Sequence, residues 1–277
     1  MDSRIATTAS TSTSGPFSAL GAYRSLTIEL AKRDVLGRYR GASFGLLWSL
    51  ISPFLMLMVY SFAFGFVMKS RWPQGEHGHA HYSVILFVGL IVHGFFAECL
   101  NRSPVLITSN ANFVKRVIFP LEILPWPMVA SALFHTLMNF VVFLLLHAVL
   151  DHALAWTTIF LPLVLLPLVL LTLGVSWFLA AIGVYLRDVN QITGVLATAM
   201  LFLSTAMFPI DALPPQYRWL LIANPLTFII DQARAVALWG QLPDWVGLGI
   251  YTGCALVMVY LGYGVFRLTR RGFADVI

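Results

Sequence analysis

The feature that most constrains this fold is a long segment without charge, since no Asp, Glu, Lys or Arg occurs from Ser43 to Met68. A helix needs about 20 mostly apolar residues to cross a hydrocarbon core about 30 Å thick. Of the 277 residues, 59% are hydrophobic and only 10% are charged, whereas a soluble domain has about 25% charged residues. The chain is therefore predicted to be a polytopic membrane protein with no room for a soluble catalytic domain.

Six membrane-spanning helices are predicted, and the fold class is all-α. Their approximate bounds are residues 43–68, 83–100, 124–150, 156–186, 192–209 and 246–267. The fourth is long for one crossing and contains Pro162 and Pro167, so it is expected to begin at the membrane surface and to bend. Ahead of the spans, residues 1–20 are predicted to be a disordered cytoplasmic tail and residues 21–42 an amphipathic interface helix.

The distribution of lysine and arginine orients these helices. If both termini are cytoplasmic, all of the 17 basic residues lie inside except Lys69, Arg71, Arg218 and Arg234. This asymmetry follows the positive-inside rule and predicts cytoplasmic termini. The net charge of +5 then reflects topology and contact with anionic lipid head groups. A nucleic-acid partner is not expected, because no folded basic domain is present to bind it.

The segment before the first span, Tyr23–Ala42, combines apolar and charged positions at helical spacing. Leu26, Leu30 and Val35 recur on one side, and cations such as Lys32 lie on the other. A helix of this kind lies in the membrane interface with its Lys and Arg side chains reaching the head groups. It is predicted to be either a membrane anchor or a collar that seats a cytoplasmic partner.

The second cytoplasmic connection, Asn101–Pro125, is unusual for a short turn. Asn110 or Asn112 can cap a short helix in it. The apolar stripe of that helix would be Phe113, Val117 and Ile118, beside Lys115 and Arg116. An amphipathic helix exposed to the cytoplasm suits docking into a groove on another protein. The alternative is an interfacial helix that lies flat on lipid.

The last outer connection, Phe208–Gly240, is too apolar for a solvated loop, yet it is interrupted by Pro209, Pro214, Pro215 and Pro225. Two short helices are predicted to meet at Asn224–Pro225. Irregular backbone at membrane depth is tolerated where it packs on protein or lines a cavity. The segment is therefore interpreted as re-entrant, between the fifth and sixth spans. The alternative is a pair of helices lying on the outer surface.

The sequence contains few groups that could carry out chemistry. None of its three lysines is preceded by glycine, so no phosphate-binding loop for ATP is present. His77, His79 and His81 form a cluster, but beyond Glu76 no cluster of carboxylates or cysteines accompanies them as in a metal site. His93 and His135 within the spans are expected to be neutral and hydrogen-bonded to neighbouring helices. No cofactor is expected in this chain, and it is predicted not to be an enzyme.

Four separated segments resemble the permease subunits of polysaccharide ABC exporters, the type-2 export permeases. They are RDVLGRYRGASFGLLWSLISPFLMLMVY from Arg33, NANFVKRVIFPLEILP from Asn110, GVYLRDVNQI from Gly183, and FPIDALPPQYRWLLIANPLTFIIDQAR from Phe208. The resemblance covers nearly the whole chain after Gly21, so it implies that residues 43–277 form the transmembrane domain of such a transporter.

The resemblance further implies how the protein is assembled and what it carries. Two permeases would form a homodimer that works with two copies of a separate ATPase subunit, which binds ATP and Mg. The cargo would be a lipid-linked polysaccharide, exported from cytoplasm to periplasm across the bacterial inner membrane. The motifs look closer to O-antigen and teichoic-acid exporters than to capsule exporters, and export of capsular polysaccharide or teichoic acid remains the alternative.

The resemblance also assigns roles to individual residues. ATPase coupling is assigned to Asn112, Phe113, Lys115, Arg116, Ile118, Phe119, Arg187 and Asp188. The interface helix at the substrate entrance would present Arg33, Arg38, Tyr39 and Arg40. The first and fifth spans would line the conduit with Phe44, Trp48, Tyr60 and Phe202. The re-entrant outer gate would contain Pro209, Pro214, Pro215, Asn224 and Pro225.

Three other classes of protein are weighed against this interpretation. A self-sufficient secondary carrier predicts ionisable groups near the membrane midplane and inverted repeats, and the sequence has neither. A membrane-embedded sugar or lipid transferase would need a carboxylate or metal constellation at the interface. A receptor or scaffold would leave the proline-rich outer segment unexplained.

Overall fold

The computed structural model describes residues 15–67, 82–114, 119–150 and 155–277. Over these ranges the chain folds into helices joined by turns, and no β-strand occurs in them. Five helices are long and apolar enough to cross a membrane: Gly45–Phe64, Tyr82–Arg102, Leu121–Val149, Trp156–Tyr185 and Trp245–Gly272. The predicted all-α polytopic membrane fold is thus confirmed. The histidine cluster at residues 77–81 lies outside the described ranges.

The helices follow one another along the chain in a simple order. The first half contains α1 (Pro16–Ala22), α2 (Arg24–Arg38), α3 (Trp48–Tyr60), which continues as a π-helix over Ser61–Val67, α4 (Tyr82–Arg102), α5 (Ala111–Val114) and α6 (Pro125–Leu150). The second half contains α7 (Leu161–Tyr185), α8 (Val189–Phe202), α9 (Arg218–Ile222), α10 (Pro225–Ala237), α11 (Trp245–Thr269) and α12 (Phe273–Val276).

The centre of the bundle is α4, which packs against α6, α7, α8 and α10. Its residues Val84, Val88 and Val92 have no exposed surface, and Phe95 is almost fully buried. Lipid tails are as apolar as these side chains, so burial alone does not hold membrane helices together. Close packing and interhelical hydrogen bonds must do so. One such bond joins α4 to α8, where His93 Nε2 donates to the Ala197 carbonyl over 2.9 Å.

The closest helix contact joins α7 and α11 through two glycines. A Cβ atom added to Gly174 would lie 2.6 Å from the backbone of Met258 and Val259. A Cβ atom on Gly262 would overlap the carbonyl oxygen of Gly174. The two backbones therefore touch directly, as small residues permit in membrane helix pairs.

The break after α8 differs from the prediction. The fifth span was expected over residues 192–209, but α8 ends at Phe202, and its 14 residues rise only about 21 Å. The reason lies in the distant Asn224 side chain. Its amide nitrogen donates to the carbonyls of Met200 and Leu203, each over 2.9 Å. These bonds satisfy carbonyls that a helix leaves unpaired at its end, so the helix can stop inside the bundle.

Asn224 also begins the next helix. Its side-chain oxygen accepts a hydrogen bond from the Leu226 backbone at 2.9 Å, which is the usual N-cap of a helix. The helical segments Pro215–Ile222 and Pro225–Ala237 meet here at 89°. The expectation that two short helices meet at Asn224–Pro225 is therefore correct. Their re-entrant position in a membrane stays a prediction.

A fully buried arginine holds this bent segment against α4. Arg234 in α10 donates to the carbonyls of Ile85 (3.0 Å), Thr205 (2.6 Å) and Ala206 (3.0 Å). Space for its guanidinium exists because residue 89 is glycine, where a Cβ would lie 2.8 Å from an arginine nitrogen. Arg234 therefore supplies donors to the turn that follows α8.

Three smaller differences concern the N-terminal region and the fourth span. Residues 16–20 of the tail predicted to be disordered belong to helix α1. This helix is packed against the rest of the protein, because Ala19 lies in a buried cluster with Leu30 and Ile123. Helix α2 is shorter than residues 21–42 and is followed by Gly41 at φ +87°. Helix α7 begins after a 3₁₀ turn and runs through Pro167 to its end.

The glycine contact gives the first prediction. Gly262→Ala should lower the stability of the protein by about 3 kcal/mol, since overpacking against a backbone cannot be relieved by a rotamer change. Gly264→Ala is the matched control, because a Cβ there would meet nothing within 4 Å. Thermal unfolding in detergent measures both. Equal midpoints for the two variants would contradict direct backbone contact.

The buried arginine gives the second prediction. Arg234→Met should destabilise the protein by about 3 kcal/mol, because it removes a buried cation that donates to several carbonyls. In the control, Arg218→Met, the lost partner is mainly Asp211 at 3.2 Å in an exposed pair, so about 1 kcal/mol or less is expected. Denaturant titration of the two variants compares them. A smaller destabilisation by Arg234→Met than by Arg218→Met would contradict the role of Arg234 in holding the bent segment against α4.

Candidate functional site

The residues predicted to couple the protein to a partner gather at one end of the bundle, which we call the α2 end. It contains α1, α2, residues 103–114 and 119–124 between α4 and α6, the α7–α8 turn and the C-terminus. The adjacency is direct: a Cβ on Gly183, near the end of α7, would overlap the backbone of Pro104, just after α4.

Helix α2 packs against α5 through an apolar cluster. Leu30 is buried with Ala19 and Ile123, and Phe113 and Phe119 pack against the same cluster. The Phe113 and Phe119 rings stack with centroids 4.3 Å apart and planes 6° apart. The predicted interface helix and the predicted coupling segment are therefore one contiguous surface.

An arginine of α2 also contacts this aromatic pair. The Arg33 guanidinium carbon lies 5.8 Å from the centre of the Phe113 ring, within the range of a cation–π interaction. Asn112 is exposed on α5. Lys115, Arg116 and Ile118, predicted to share the coupling role, lie outside the described residues.

A cluster of four charged side chains fastens α2 to α4. Arg102 bonds Asp34 at 2.6 Å and Glu98 at 3.1 Å, and Arg38 pairs with the same Glu98. Two cations and two anions make the cluster neutral, which favours its partial burial. We call it the α2–α4 ion cluster.

The sequence analysis assigned Arg38 a role but missed Asp34, Glu98 and Arg102. The available signal was Glu98 and Arg102 at i, i+4 near the end of a predicted span, a spacing that pairs opposite charges on one helix face. This spacing does not indicate that Glu98 also pairs with Arg38, which lies 60 residues away in the chain.

The turn after α2 is fixed by an aromatic contact with α6. The Tyr39 hydroxyl and His135 Nδ1 lie 3.0 Å apart and share a hydrogen bond. Burial raises the pKa of Tyr39 above its ordinary value, so the hydroxyl stays protonated and available for this bond. Arg40, the fourth residue predicted for the entrance, is exposed.

The second predicted coupling site, Arg187 and Asp188, is an exposed turn between α7 and α8. Its base is anchored to the C-terminal region, since the Tyr185 hydroxyl donates to the Thr269 carbonyl over 2.8 Å. Neither Arg187 nor Asp188 forms an ion pair with another described residue. Both are therefore open to a partner.

A buried carboxylate links the same region to the start of α6. Glu122 is 6% exposed and pairs with Arg270, and its backbone carbonyl accepts a 2.9 Å bond from the indole nitrogen of Trp177 in α7. The segment Leu121–Ile123, against which α2 packs, is thus fixed to α7 and α11. The sequence analysis did not identify this pair.

Of the residues predicted to line a conduit, Trp48, Tyr60 and Phe202 lie on two helices that both pack on α4, and Phe44 lies in the turn before the first of them. Phe44 and Trp48 are in edge contact, with centroids 6.0 Å apart, at the start of the first span. Tyr60 closes α3 and packs partly on the core, and Phe202 is exposed at the end of α8. Their role in a conduit stays a prediction.

The predicted outer-gate residues occupy the end of the bundle opposite to α2. Pro209, Pro214 and Pro215 begin or precede two 3₁₀ turns, and Asn224 and Pro225 form the 89° bend. In the ranges that the structure describes, no group of three or more His, Cys, Asp or Glu could hold a metal ion.

Comparison with known proteins identifies the family. Residues 25–238 match the family model described as ABC-2 type transporter. The O-antigen export system permease protein RfbA of Myxococcus xanthus is 29% identical over 261 residues, which are 92% of this chain and 96% of that protein.

Two further relatives cover similar lengths. The RfbA permease of Klebsiella pneumoniae is 27% identical, covering 93% of this chain and 97% of the relative. The polysialic acid transport protein KpsM of Escherichia coli is 27% identical, and the match covers 87% of this chain and 93% of the relative. The resemblance inferred from the four segments is therefore confirmed: the chain belongs to the ABC-2 type transporter family and is a transport subunit, not an enzyme.

Proposed function

We propose that this chain is the transmembrane subunit of an ATP-driven exporter that moves a lipid-linked polysaccharide of the O-antigen class from cytoplasm to periplasm across the bacterial inner membrane. The main support is end-to-end similarity to permeases named for O-antigen export. A capsular polysaccharide is the second candidate, because a polysialic acid transport protein is similar over nearly the same length. Teichoic acid would be carried by the same mechanism.

The motor in this proposal is a separate ATPase subunit, present in two copies and carrying ATP and Mg. The sequence supports this, because it has no lysine-containing phosphate-binding loop of its own. The α2 end and both termini would face the cytoplasm. Helix α5 with Lys115 and Arg116 would dock into one groove of the ATPase, and Arg187–Asp188 would meet it at a second contact.

Two copies of this chain would enclose the polymer. The first span is largely uncovered, and exposed apolar side chains such as Phe54, Met58 and Phe62 cover much of its surface. Exposed residues of α8, including Val195, add to that surface. A homodimer that joins these faces would bring Phe44, Trp48, Tyr60 and Phe202 to the conduit, with the bend at Asn224 as its periplasmic gate.

Coupling in this mechanism follows the contacts of α2. Closure of the ATPases would displace α5, and the stacked Phe113–Phe119 pair would transmit that displacement to α2. The α2–α4 ion cluster would then move α2 and the end of α4 together. The ATPase can bias the permease only through contacts that differ between its open and closed states, and in this proposal the exposed surface of α5 would make them.

Reconstitution tests the function itself. Proteoliposomes that contain the chain and its ATPase should move lipid-linked O-polysaccharide only when ATP and Mg are supplied, and lectin protection measures the transfer. Vesicles with the chain alone should transfer nothing. Transfer by the chain alone would contradict the proposal, and transfer of capsular polymer but not O-polysaccharide would favour the second candidate.

Variants of α2 test the coupling route. Arg33→Gln should lower polymer export about fivefold at unchanged ATPase binding, since a cation–π contact of about 1 kcal/mol is lost from the transmission surface. Glu29→Gln is the matched control: it neutralises a charge one turn earlier on α2, where Glu29 pairs with exposed Lys32. Export per ATP hydrolysed is the measurement, and equal values for both variants would contradict the route.

A further inference from the structure

The face of α2 that points away from the ion cluster borders a large apolar groove. The groove has a volume of about 780 Å³ and lies between α1, α2, the start of the first span and α6. Its lining includes Phe17, Leu20, Ile28, Leu36, Trp126 and Phe134. Leu36 is 60% exposed and Ile28 is 42% exposed, so this surface is not covered by the described chain.

The apolar side chains of α2 form two separate faces. Leu30 is 8% exposed and packs toward Ile123. Ile28, Ala31 and Val35 recur at i, i+3 and i+7 and line the groove instead, which is the spacing of one helix face. The second face is unpartnered in the described structure, although α2 is otherwise firmly attached.

The ionisable residues that line the groove are Arg24 and Lys32, and both are cations. Arg24 has no ion-pair partner among the described residues, and Lys32 has only Glu29, in a pair whose side chains are 61% and 69% exposed. Exposed pairs of this kind contribute little. On the opposite side of α2, by contrast, Asp34 and Arg38 are bonded to α4. At the groove, therefore, Arg24 has no counter-ion among the described residues and Lys32 has only a weak, exposed one.

We propose that this groove binds an anionic phospholipid of the surrounding bilayer, with an acyl chain against the apolar lining and the head-group phosphate bound by Arg24 and Lys32. The two cations are eight residues apart, about 12 Å along the helix. An apolar trough whose ionisable lining residues are both cations complements a molecule that joins a hydrocarbon chain to a negative head group. The lipid would fill the space between α2 and α6. This inference does not depend on the identity of the exported polymer.

Native mass spectrometry of the purified full chain tests the site. The probes are phosphatidylglycerol and phosphatidylcholine with identical acyl chains. Phosphatidylglycerol should bind more tightly, and Arg24→Gln should weaken its binding about fivefold, because one cation near an anionic lipid contributes about 1 kcal/mol. Arg24→Gln with Lys32→Gln should reduce it to the level of phosphatidylcholine. Arg271→Gln, an exposed arginine outside the groove, should leave binding unchanged.

A steric variant separates the groove from general surface charge. Ala130 lies in α6 and lines the groove, so Ala130→Trp should expel both lipids while leaving Arg24 and Lys32 in place. If that variant does not fold, the double charge variant alone decides. Equal binding of the two lipids, or unchanged binding after the double substitution, overturns the proposal.

Two further results would assign the groove to another occupant and also overturn the proposal. Displacement of phosphatidylglycerol by an equimolar polyprenyl phosphate would show that the site belongs to the cargo lipid. A change in oligomeric state in the Ala130→Trp spectra would show that a second copy of the chain occupies it. Either result would leave the proposed export function standing, because polymer export is measured separately.

Discussion

Inside a bilayer every backbone carbonyl and amide needs a partner within the protein, and this requirement shapes the most irregular part of the chain. Helix α8 stops short of a full crossing, and its last carbonyls would be left unpaired. Asn224 donates to two of them and accepts from the amide of Leu226, so one side chain ends α8 and begins α10. Arg234 supplies the turn between them with further donors. The bent segment is therefore fixed by polar side chains as well as by the packing of α10 against α4 and α7.

Close backbone packing and buried polar contacts together join the two ends of the bundle. Helices α7 and α11 lie in backbone contact at Gly174 and Gly262, and the pair continues to the α2 end. There Glu122 binds Arg270 and Trp177, which fixes the short segment on which α2 rests. Because α7 and α11 are in direct backbone contact, a displacement at the α2 end would act on these two helices as a pair.

Structural features that depend on local composition can be predicted from the sequence. Features that depend on a side chain far away in the chain cannot. Uncharged length predicts the spans, and proline spacing predicts the two short helices and their meeting point. The end of α8 depends on an asparagine more than 20 residues later, so no local pattern indicates it. The α2–α4 ion cluster joins Asp34 and Arg38 to residues 68 and 60 positions away. The helix at residues 16–22 forms because Ala19 has a tertiary contact, which its Ser-rich surroundings do not reveal.

Helix α2 is attached by a different kind of interaction on each side, and this difference matters for the proposed mechanism. Toward α4 it is bound by charged hydrogen bonds, which are directional and short. Toward α5 the contact is apolar and aromatic, and the Arg33 guanidinium carbon lies 5.8 Å from the centre of the Phe113 ring. Toward α6 much of its apolar face borders a groove. In the proposed mechanism, a push from α5 would therefore reach α4 through the ion cluster, and the packing of α2 against α6 would oppose any rotation of α2 toward the groove.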